Sequence, residues 1–156
     1  MTKLLEVLVT GATGKQGGAV AHRLLERGHR VRALTRRLDS PAARALAEEG
    51  ATLVQGTLDD RASLDRAIGG VDAVFSMTTP FEAGIEAEIC QGKTTADAAK
   101  AAGAFLVFTS VGSADKKTGI PHVESKRAVE EHIARIGARA AILRPVYFME
   151  NAIAFG

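Results

Sequence analysis

Aromatic residues are scarce in this chain of 156 residues, which has no tryptophan, one tyrosine and six phenylalanines. Single-stranded nucleic acid is usually bound on stacked aromatic side chains, so this scarcity argues against such a platform. An excess of charge of one sign is also lacking, because 20 basic residues face 18 acidic ones and the net charge is +2. Binding to nucleic acid through phosphate neutralisation is therefore not indicated.

Cysteine and long apolar segments are lacking as well. Cys90 is the one cysteine, which excludes an internal disulfide and favours a reducing compartment. We expect it to be a small buried residue of a helix. The N-terminus carries no secretory signal pattern and no apolar run approaches the roughly 20 residues that span a bilayer, so we expect a cytoplasmic protein without a membrane partner. The four histidines show no metal-ligand spacing, and no metal is expected.

The chain does have a regular alternation of short apolar runs and longer helical patterns. We predict strands at 4–9, 31–34, 52–55, 73–77, 105–109 and 140–143, and helices at 14–27, 41–49, 61–68, 84–102 and 121–136. Continuous apolar strands separated by helices indicate an α/β fold with a doubly wound parallel sheet, covered by helices on both faces. The length suits one domain.

A glycine-rich loop follows the first predicted strand, with the pattern Gly11-x-x-Gly14-x-x-Gly17. Glycines at this spacing allow a tight turn, a close approach of backbone to a pyrophosphate, and close packing of helix on strand. The start of the next helix offers free N–H groups and a positive dipole end to phosphates. The alternative is an ordinary strand-to-helix turn, but the six-strand context favours a dinucleotide site. Its predicted members here are Gly11, Thr13, Gly14, Lys15, Gln16 and Gly17.

The end of the second strand indicates which dinucleotide is bound. An acid at this point would bind the ribose 2′-hydroxyl of NAD, but the chain has Arg36 there. A guanidinium suits the 2′-phosphate of NADP, so we predict NADP as the cofactor. NAD stays open because Asp39 could reach a ribose. The alternative for Arg36 and Arg37 is a pair of solvated surface arginines.

The ends of the third and fourth strands extend the predicted site. Residues after the third strand are expected to face the adenine, and residues after the fourth to pass beside the pyrophosphate or the nicotinamide ribose. They are Thr57 and Leu58 after the third, and Thr78, Thr79 and Pro80 after the fourth. Asp59 has two predicted roles of similar weight, a cofactor contact or the N-cap of the next helix.

These segments resemble the atypical short-chain dehydrogenases, and specifically the NmrA-like group. The segments that carry the resemblance are 11–17, 35–37, 109–113, 122–126 and 143–151. The resemblance covers the whole chain and implies a Rossmann domain with strand order 3-2-1-4-5-6 that binds NADP or NAD. It also implies that residues 1–156 are a cofactor-binding domain without most of a C-terminal substrate-binding part. The group includes quinone reductases and regulators that sense NADP.

The resemblance also implies candidate catalytic residues. Classical members use Tyr-x-x-x-Lys on one helical face; here Lys126 fills the lysine position and His122 the tyrosine position. We expect Lys126, at the start of an inner helix face, to contact the ribose or nicotinamide; the alternative is a surface lysine. His122 could exchange protons near neutral pH or simply begin the helix. Ser110, after the fifth strand, could bind a substrate carbonyl or the carboxamide, or be an ordinary loop residue.

Residues after the sixth strand complete the prediction. We expect Pro145, Tyr147 and Phe148 to lie beside the nicotinamide, with a remote acid role for Tyr147 as a minor alternative. The first hypothesis is an NADP-preferring oxidoreductase that passes hydride to a small-molecule substrate such as a quinone. The second is a non-catalytic redox sensor that acts through a protein partner. A sugar-nucleotide epimerase or dehydratase is disfavoured because it relies on the missing tyrosine.

Overall fold

Strands and helices alternate along the chain as the apolar pattern predicts, in a computed structural model that describes residues 3–146 and 148–149. The strands are β1 (Glu6–Val9), β2 (Arg30–Thr35), β3 (Thr52–Gln55), β4 (Ala73–Ser76), β5 (Phe105–Thr109) and β6 (Ala140–Leu143). The helices are α1 (Lys15–Glu26), α2 (Pro41–Glu48), α3 (Arg61–Ile68), α4 (Pro80–Ala83), α5 (Ile85–Ala101) and α6 (Pro121–Ile136).

The six strands form one parallel sheet in the order β3-β2-β1-β4-β5-β6. This confirms the predicted doubly wound α/β fold and its strand order. The order reverses beside β1, since β2 and β3 continue to one side and β4 to β6 to the other. Ligands of such sheets bind at the carboxyl ends of the strands at this reversal, and the glycine loop follows β1 at that point.

The core is divided between the two faces of the sheet. Within β1, Val7 and Val9 pack into one apolar cluster and Leu8 into the other, because successive side chains of a strand point to opposite faces. Burial on both faces explains why β1 reads as a continuous apolar run. The carboxyl ends of the strands are thereby held on a rigid frame.

One prediction about the fold is wrong, and one element was not predicted. The short helix α4 lies directly before α5, in a segment to which the sequence pattern assigns no element. Cys90 is exposed rather than buried, since the buried face of α5 carries Glu88, Gly92 and Thr95 instead. No helix in the described part of the chain is long and apolar enough to cross a membrane, and the cytoplasmic location stays a prediction.

Candidate cofactor site

The glycine loop forms a tight turn on which α1 packs closely. Gly11 has φ +61°, and its carbonyl oxygen accepts a hydrogen bond of 2.9 Å from the N–H of Gly14. A Cβ atom on Gly17 would lie 2.2 Å from the same carbonyl oxygen. Gly11 therefore makes the turn, and Gly17 allows the helix to approach the strand.

The N-terminus of α1 carries no compensating side chain. Gly14 is its N-cap, with neither a side-chain cap nor an acidic residue in the first turn. Each of the other described helices has at least one of these, for example the caps Ser40 of α2 and Asp60 of α3 or the first-turn Glu124 of α6. The positive end of the α1 dipole is thus left for an anionic ligand, as a pyrophosphate requires.

A cleft of about 640 Å³ opens above this loop at the carboxyl ends of the strands. Eight of the predicted cofactor residues line it: Gly11, Thr13, Gly14, Arg36, Thr57, Leu58, Thr78 and Thr79. Several others lie outside its lining: Lys15, Gln16, Gly17, Pro80, Ser110, Lys126, Pro145 and Phe148. The cleft thus brings together the ends of β1 to β4, but not the residues predicted from β5, β6 and α6.

The cleft is also lined by residues that the sequence prediction missed, among them Met77, Glu82 and Gln91. Met77 follows β4, and its N–H donates a 2.8 Å hydrogen bond to the Thr10 hydroxyl. Glu82 belongs to α4, a helix that was not predicted. The Pro80 at the start of α4, directly after a threonine that can cap, is the sequence signal that could have revealed it.

Arg36 follows β2, at the position predicted for the 2′-phosphate. Its side chain is exposed and its Nη2 lies 3.1 Å from the Glu82 carboxylate. Arg37 lines the same cleft, whereas Asp39 does not. The cleft is therefore lined by two arginines on its β2 side, and a guanidinium is a group that a phosphate favours.

The two aspartates before α3 have separate roles. Asp60 is the N-cap, and its side chain accepts a 2.9 Å hydrogen bond from the N–H of Ala62. The prediction that Asp59 caps this helix is therefore wrong by one residue. Asp59 lines the cleft and accepts a 2.8 Å hydrogen bond from the side chain of Gln91.

Gln16 is held by the protein itself, since its amide donates a 2.9 Å hydrogen bond to the Thr109 hydroxyl. This contact ties the first turn of α1 to the end of β5. Lys15, one residue earlier, is exposed. The first turn of α1 is thus fixed in position, and its amides are presented by a rigid element.

Lys126 is buried in an ion pair that the sequence did not predict. Its Nζ lies 2.9 Å from the carboxylate of Glu88, which is completely buried on α5. The same ammonium donates to the Thr78 carbonyl at 2.6 Å and hydroxyl at 3.0 Å, and to the Thr109 carbonyl at 3.3 Å. Ser125 donates to the other oxygen of Glu88. Lys126 is therefore not a surface lysine, and it lies directly behind the Thr78 wall of the cleft.

Burial and the neighbouring Glu88 carboxylate shift the pKa of Lys126 in opposite directions. Desolvation lowers the pKa of Lys126, because a buried ammonium loses its hydration, and the neighbouring Glu88 carboxylate partly offsets this. Glu88 is an acid on an otherwise small-residue face of α5 that includes Gly92 and Ala96. A charged residue on the inner face of each helix is a sequence signal that a buried charge needs a partner, but which partner it meets depends on how α5 and α6 pack.

The end of β5 carries a buried hydroxyl group without a partner. Among the described side chains, the hydroxyl oxygens of Ser76 and Ser110 are buried and make no hydrogen bond. Buried polar groups are normally paired, so an unpaired one at a ligand-binding strand end fits a polar ligand group. Ser110 itself is fixed by its N–H, which donates a 2.7 Å hydrogen bond to the Leu143 carbonyl.

The remaining predicted residues lie near the ends of β5 and β6. His122 is exposed at the start of α6. Pro145 accepts a 2.8 Å hydrogen bond from the N–H of Gly112, so the chain after β6 runs beside the loop after β5. Phe148 is exposed, and Tyr147 lies outside the described residues. Within 3–146 and 148–149, no three His, Cys, Asp or Glu side chains come together as around a metal ion.

Comparison with known proteins identifies relatives over the whole described chain. The model of the NmrA-like family matches residues 3–155. A (4-alkanoyl-5-oxo-2,5-dihydrofuran-3-yl)methyl phosphate reductase of Streptomyces griseus is 36% identical, with 96% of this chain and 50% of the relative covered. The chain thus spans about half the length of this curated relative.

Two solved structures show the same architecture. An NADPH-dependent quinone oxidoreductase of Escherichia coli, complexed with NADPH, superposes with a TM-score of 0.81 at 29% identity, over 95% of this chain and 51% of that one. NmrA, a negative transcriptional regulator in complex with NADP, superposes with a TM-score of 0.78 at 28% identity, over 90% of this chain and 45% of that one. The match across residues 3–155 shows that the chain belongs to the NmrA-like family.

Proposed function

We propose that residues 1–156 form the NADP(H)-binding domain of an oxidoreductase that reduces a small molecule, with quinones as the leading substrate class. The observation that carries the proposal is the cleft, which is lined both by Arg36 and by Gly14 at the uncapped N-terminus of α1. The Arg36 guanidinium suits a 2′-phosphate, and the helix N-terminus suits a pyrophosphate. NAD remains a second cofactor, since the glycine turn does not distinguish the two.

Each part of the cleft has a proposed part of the dinucleotide to bind. The amides of the glycine loop hold the pyrophosphate, Arg36 holds the 2′-phosphate, and Thr57 and Leu58 border the adenine. Thr78 and its neighbours border the nicotinamide ribose. The bound nicotinamide supplies the hydride, and reduction of a quinone to the hydroquinone takes up this hydride and one proton.

Lys126 and His122 have supporting roles in this proposal. The Lys126 ammonium keeps Thr78 in place through two hydrogen bonds, and its charge lies behind the wall that faces the nicotinamide ribose. His122 is exposed at the start of α6. In this proposal the proton for the substrate comes from water, directly or through His122, so that no tyrosine is required.

Similar proteins support NADPH as the cofactor and a small molecule as the substrate. The Escherichia coli neighbour is described as an NADPH-dependent quinone oxidoreductase and the Streptomyces griseus relative as a reductase of a phosphorylated small molecule. The second candidate function is a cofactor sensor with a protein partner, because the neighbour NmrA is a transcriptional regulator that binds NADP and NAD. The ion pair of Lys126 with Glu88 favours the sensor, since a lysine held in this pair is less free to assist catalysis.

Calorimetric titration with NADPH and NADH tests the cofactor site. Arg36→Ala is expected to weaken NADPH binding by roughly ten- to a hundredfold, the worth of a charge-assisted hydrogen bond, with little effect on NADH. Arg44→Ala is the matched control, since Arg44 is an exposed arginine of α2 outside the cleft lining. Equal losses for both cofactors would refute the 2′-phosphate role.

Steady-state oxidation of NADPH with a panel of quinones separates the two candidate functions. Turnover that saturates with one quinone class supports the oxidoreductase. Clear NADPH binding without turnover on any acceptor would overturn the enzyme and leave the sensor.

A further inference from the structure

The guanidinium predicted to hold the 2′-phosphate already has an anionic partner. Arg36 Nη2 lies 3.1 Å from Oε2 of Glu82, and both residues line the cleft. Arg36 follows β2 and Glu82 belongs to α4, after β4. Since β2 and β4 flank β1 in the sheet, the ion pair spans the cleft above the glycine loop.

A second polar contact crosses the same cleft. The Gln91 amide on α5 donates a 2.8 Å hydrogen bond to the Asp59 carboxylate, which belongs to the loop after β3. The β2–β3 side of the cleft is therefore linked twice to the α4–α5 side. Of the two links, only the one through Arg36 uses a group that a 2′-phosphate would need.

The Arg36–Glu82 link is placed so that it can open. The two side chains are 71% and 61% exposed, and exposed ion pairs are weak because water and salt screen them. Glu82 lies on a four-residue helix that the Thr79 side chain caps at one end and Gly84, with φ +89°, follows at the other. The carboxylate can leave the arginine by a side-chain rotation, without unfolding of a larger element.

We propose that Glu82 is a specificity-determining residue, which competes with the 2′-phosphate of the cofactor for Arg36 and so lowers the preference for NADP over NAD. The inference rests on the proposed cofactor site. NADPH must displace Glu82 from Arg36 and also place its phosphate near a carboxylate of like charge. NADH has no such phosphate and leaves the ion pair in place.

The substitution Glu82→Gln tests the proposal, because glutamine keeps the shape of the side chain and removes its charge. The variant is expected to bind NADPH roughly two- to tenfold more tightly at low ionic strength, while its affinity for NADH does not change. The gain should shrink as salt is added, since the competing charges are exposed. Calorimetric titration at two ionic strengths measures both effects.

Two further variants make the result specific to the ion pair. Glu86→Gln removes the same charge from an exposed position of α5 outside the cleft lining, and it should leave the ratio of the two affinities as it is. In an Arg36→Ala background, Glu82→Gln should lose the part of its effect that comes from competition for the guanidinium and keep only the part that comes from direct repulsion of the phosphate.

The outcomes distinguish this inference from the cofactor site itself. If the unaltered protein binds neither NADPH nor NADH, the proposed function fails. If it binds NADPH and Glu82→Gln leaves the ratio unchanged, or weakens NADPH binding, the cofactor site stands and the competition by Glu82 is refuted.

Discussion

At the scale of single residues, Gly17 determines how closely α1 packs on the end of β1. A Cβ atom added there would lie 2.2 Å from the carbonyl oxygen of Gly11 and 2.8 Å from that of Thr10, and both are backbone atoms. Because this backbone has no free rotamer to adopt, Gly17→Ala is expected to displace α1. We predict a loss of stability of about 1–3 kcal/mol and a loss of NADPH affinity of at least about tenfold. Denaturant unfolding and calorimetric titration measure the two effects.

The matched control for Gly17 is Gly69, which follows α3 outside the cleft lining. Its φ is −52°, and an added Cβ would meet the Asp65 carbonyl oxygen at 3.4 Å, an ordinary contact. Gly69→Ala should change stability by no more than about 0.5 kcal/mol and leave NADPH affinity unchanged. A Gly17→Ala variant that binds NADPH normally would show that the spacing of α1 and β1 does not control the cleft.

At the scale of elements, α5 and α6 meet around the buried ion pair of Glu88 and Lys126. Removal of one partner of a buried pair leaves the other charge uncompensated, which costs about 3–5 kcal/mol. Glu88→Gln is therefore expected to lower the free energy of unfolding by about that amount near neutral pH. Thermal and denaturant unfolding measure the loss.

The loss should also depend on pH. Burial lowers the pKa of Lys126 and Glu88 opposes this, so the pKa of Lys126 falls further in Glu88→Gln. Between that lowered pKa and the ordinary lysine value of 10.5, the unfolded chain holds a proton that the folded variant has released. The free energy of unfolding of the variant therefore rises with pH in this range. The difference in free energy of unfolding between the unaltered protein and the variant becomes smaller.

Glu86→Gln is the control for this prediction, since it removes an exposed acid two residues earlier in α5. Its stability should fall by no more than about 1 kcal/mol, the contribution of a first-turn acid to the helix dipole, and this loss should not change above neutral pH. A deficit of Glu88→Gln that does not change with pH would contradict a charged, desolvated Lys126 as its cause.

The elements also show which features a sequence can predict. The bounds of α3, α6, β3, β5 and β6 agree with the predicted ranges. For the two helices the reason is local, since a capping side chain or a proline begins each of them and a glycine follows each. The Glu88–Lys126 pair was missed because it depends on how two helices pack, which no local pattern encodes. Cys90 was misplaced for the same reason, since the rotation of α5 about its axis decides which face is buried.

The cofactor site also has features that local sequence signals predict and features that depend on packing. The glycine turn and the place of Arg36 could be predicted, since both follow directly from a strand end in a parallel sheet. The partner of Arg36 could not, because Glu82 reaches it across the sheet from a helix with only four residues.

At the scale of the whole molecule, the cleft unites both halves of the sheet, so a ligand that fills it should stabilise the entire domain. NADPH that binds only the folded state at a concentration of a hundred times its Kd adds about 2.7 kcal/mol to the free energy of unfolding. For a domain of this size the Tm is expected to rise by roughly 5–10 °C. At equal concentrations NADH should raise it less, and Arg36→Ala should remove the difference between the two cofactors. A cooperative thermal transition that NADPH leaves unmoved would refute residues 1–156 as a cofactor-binding domain, because a bound dinucleotide cannot fail to stabilise the state that binds it.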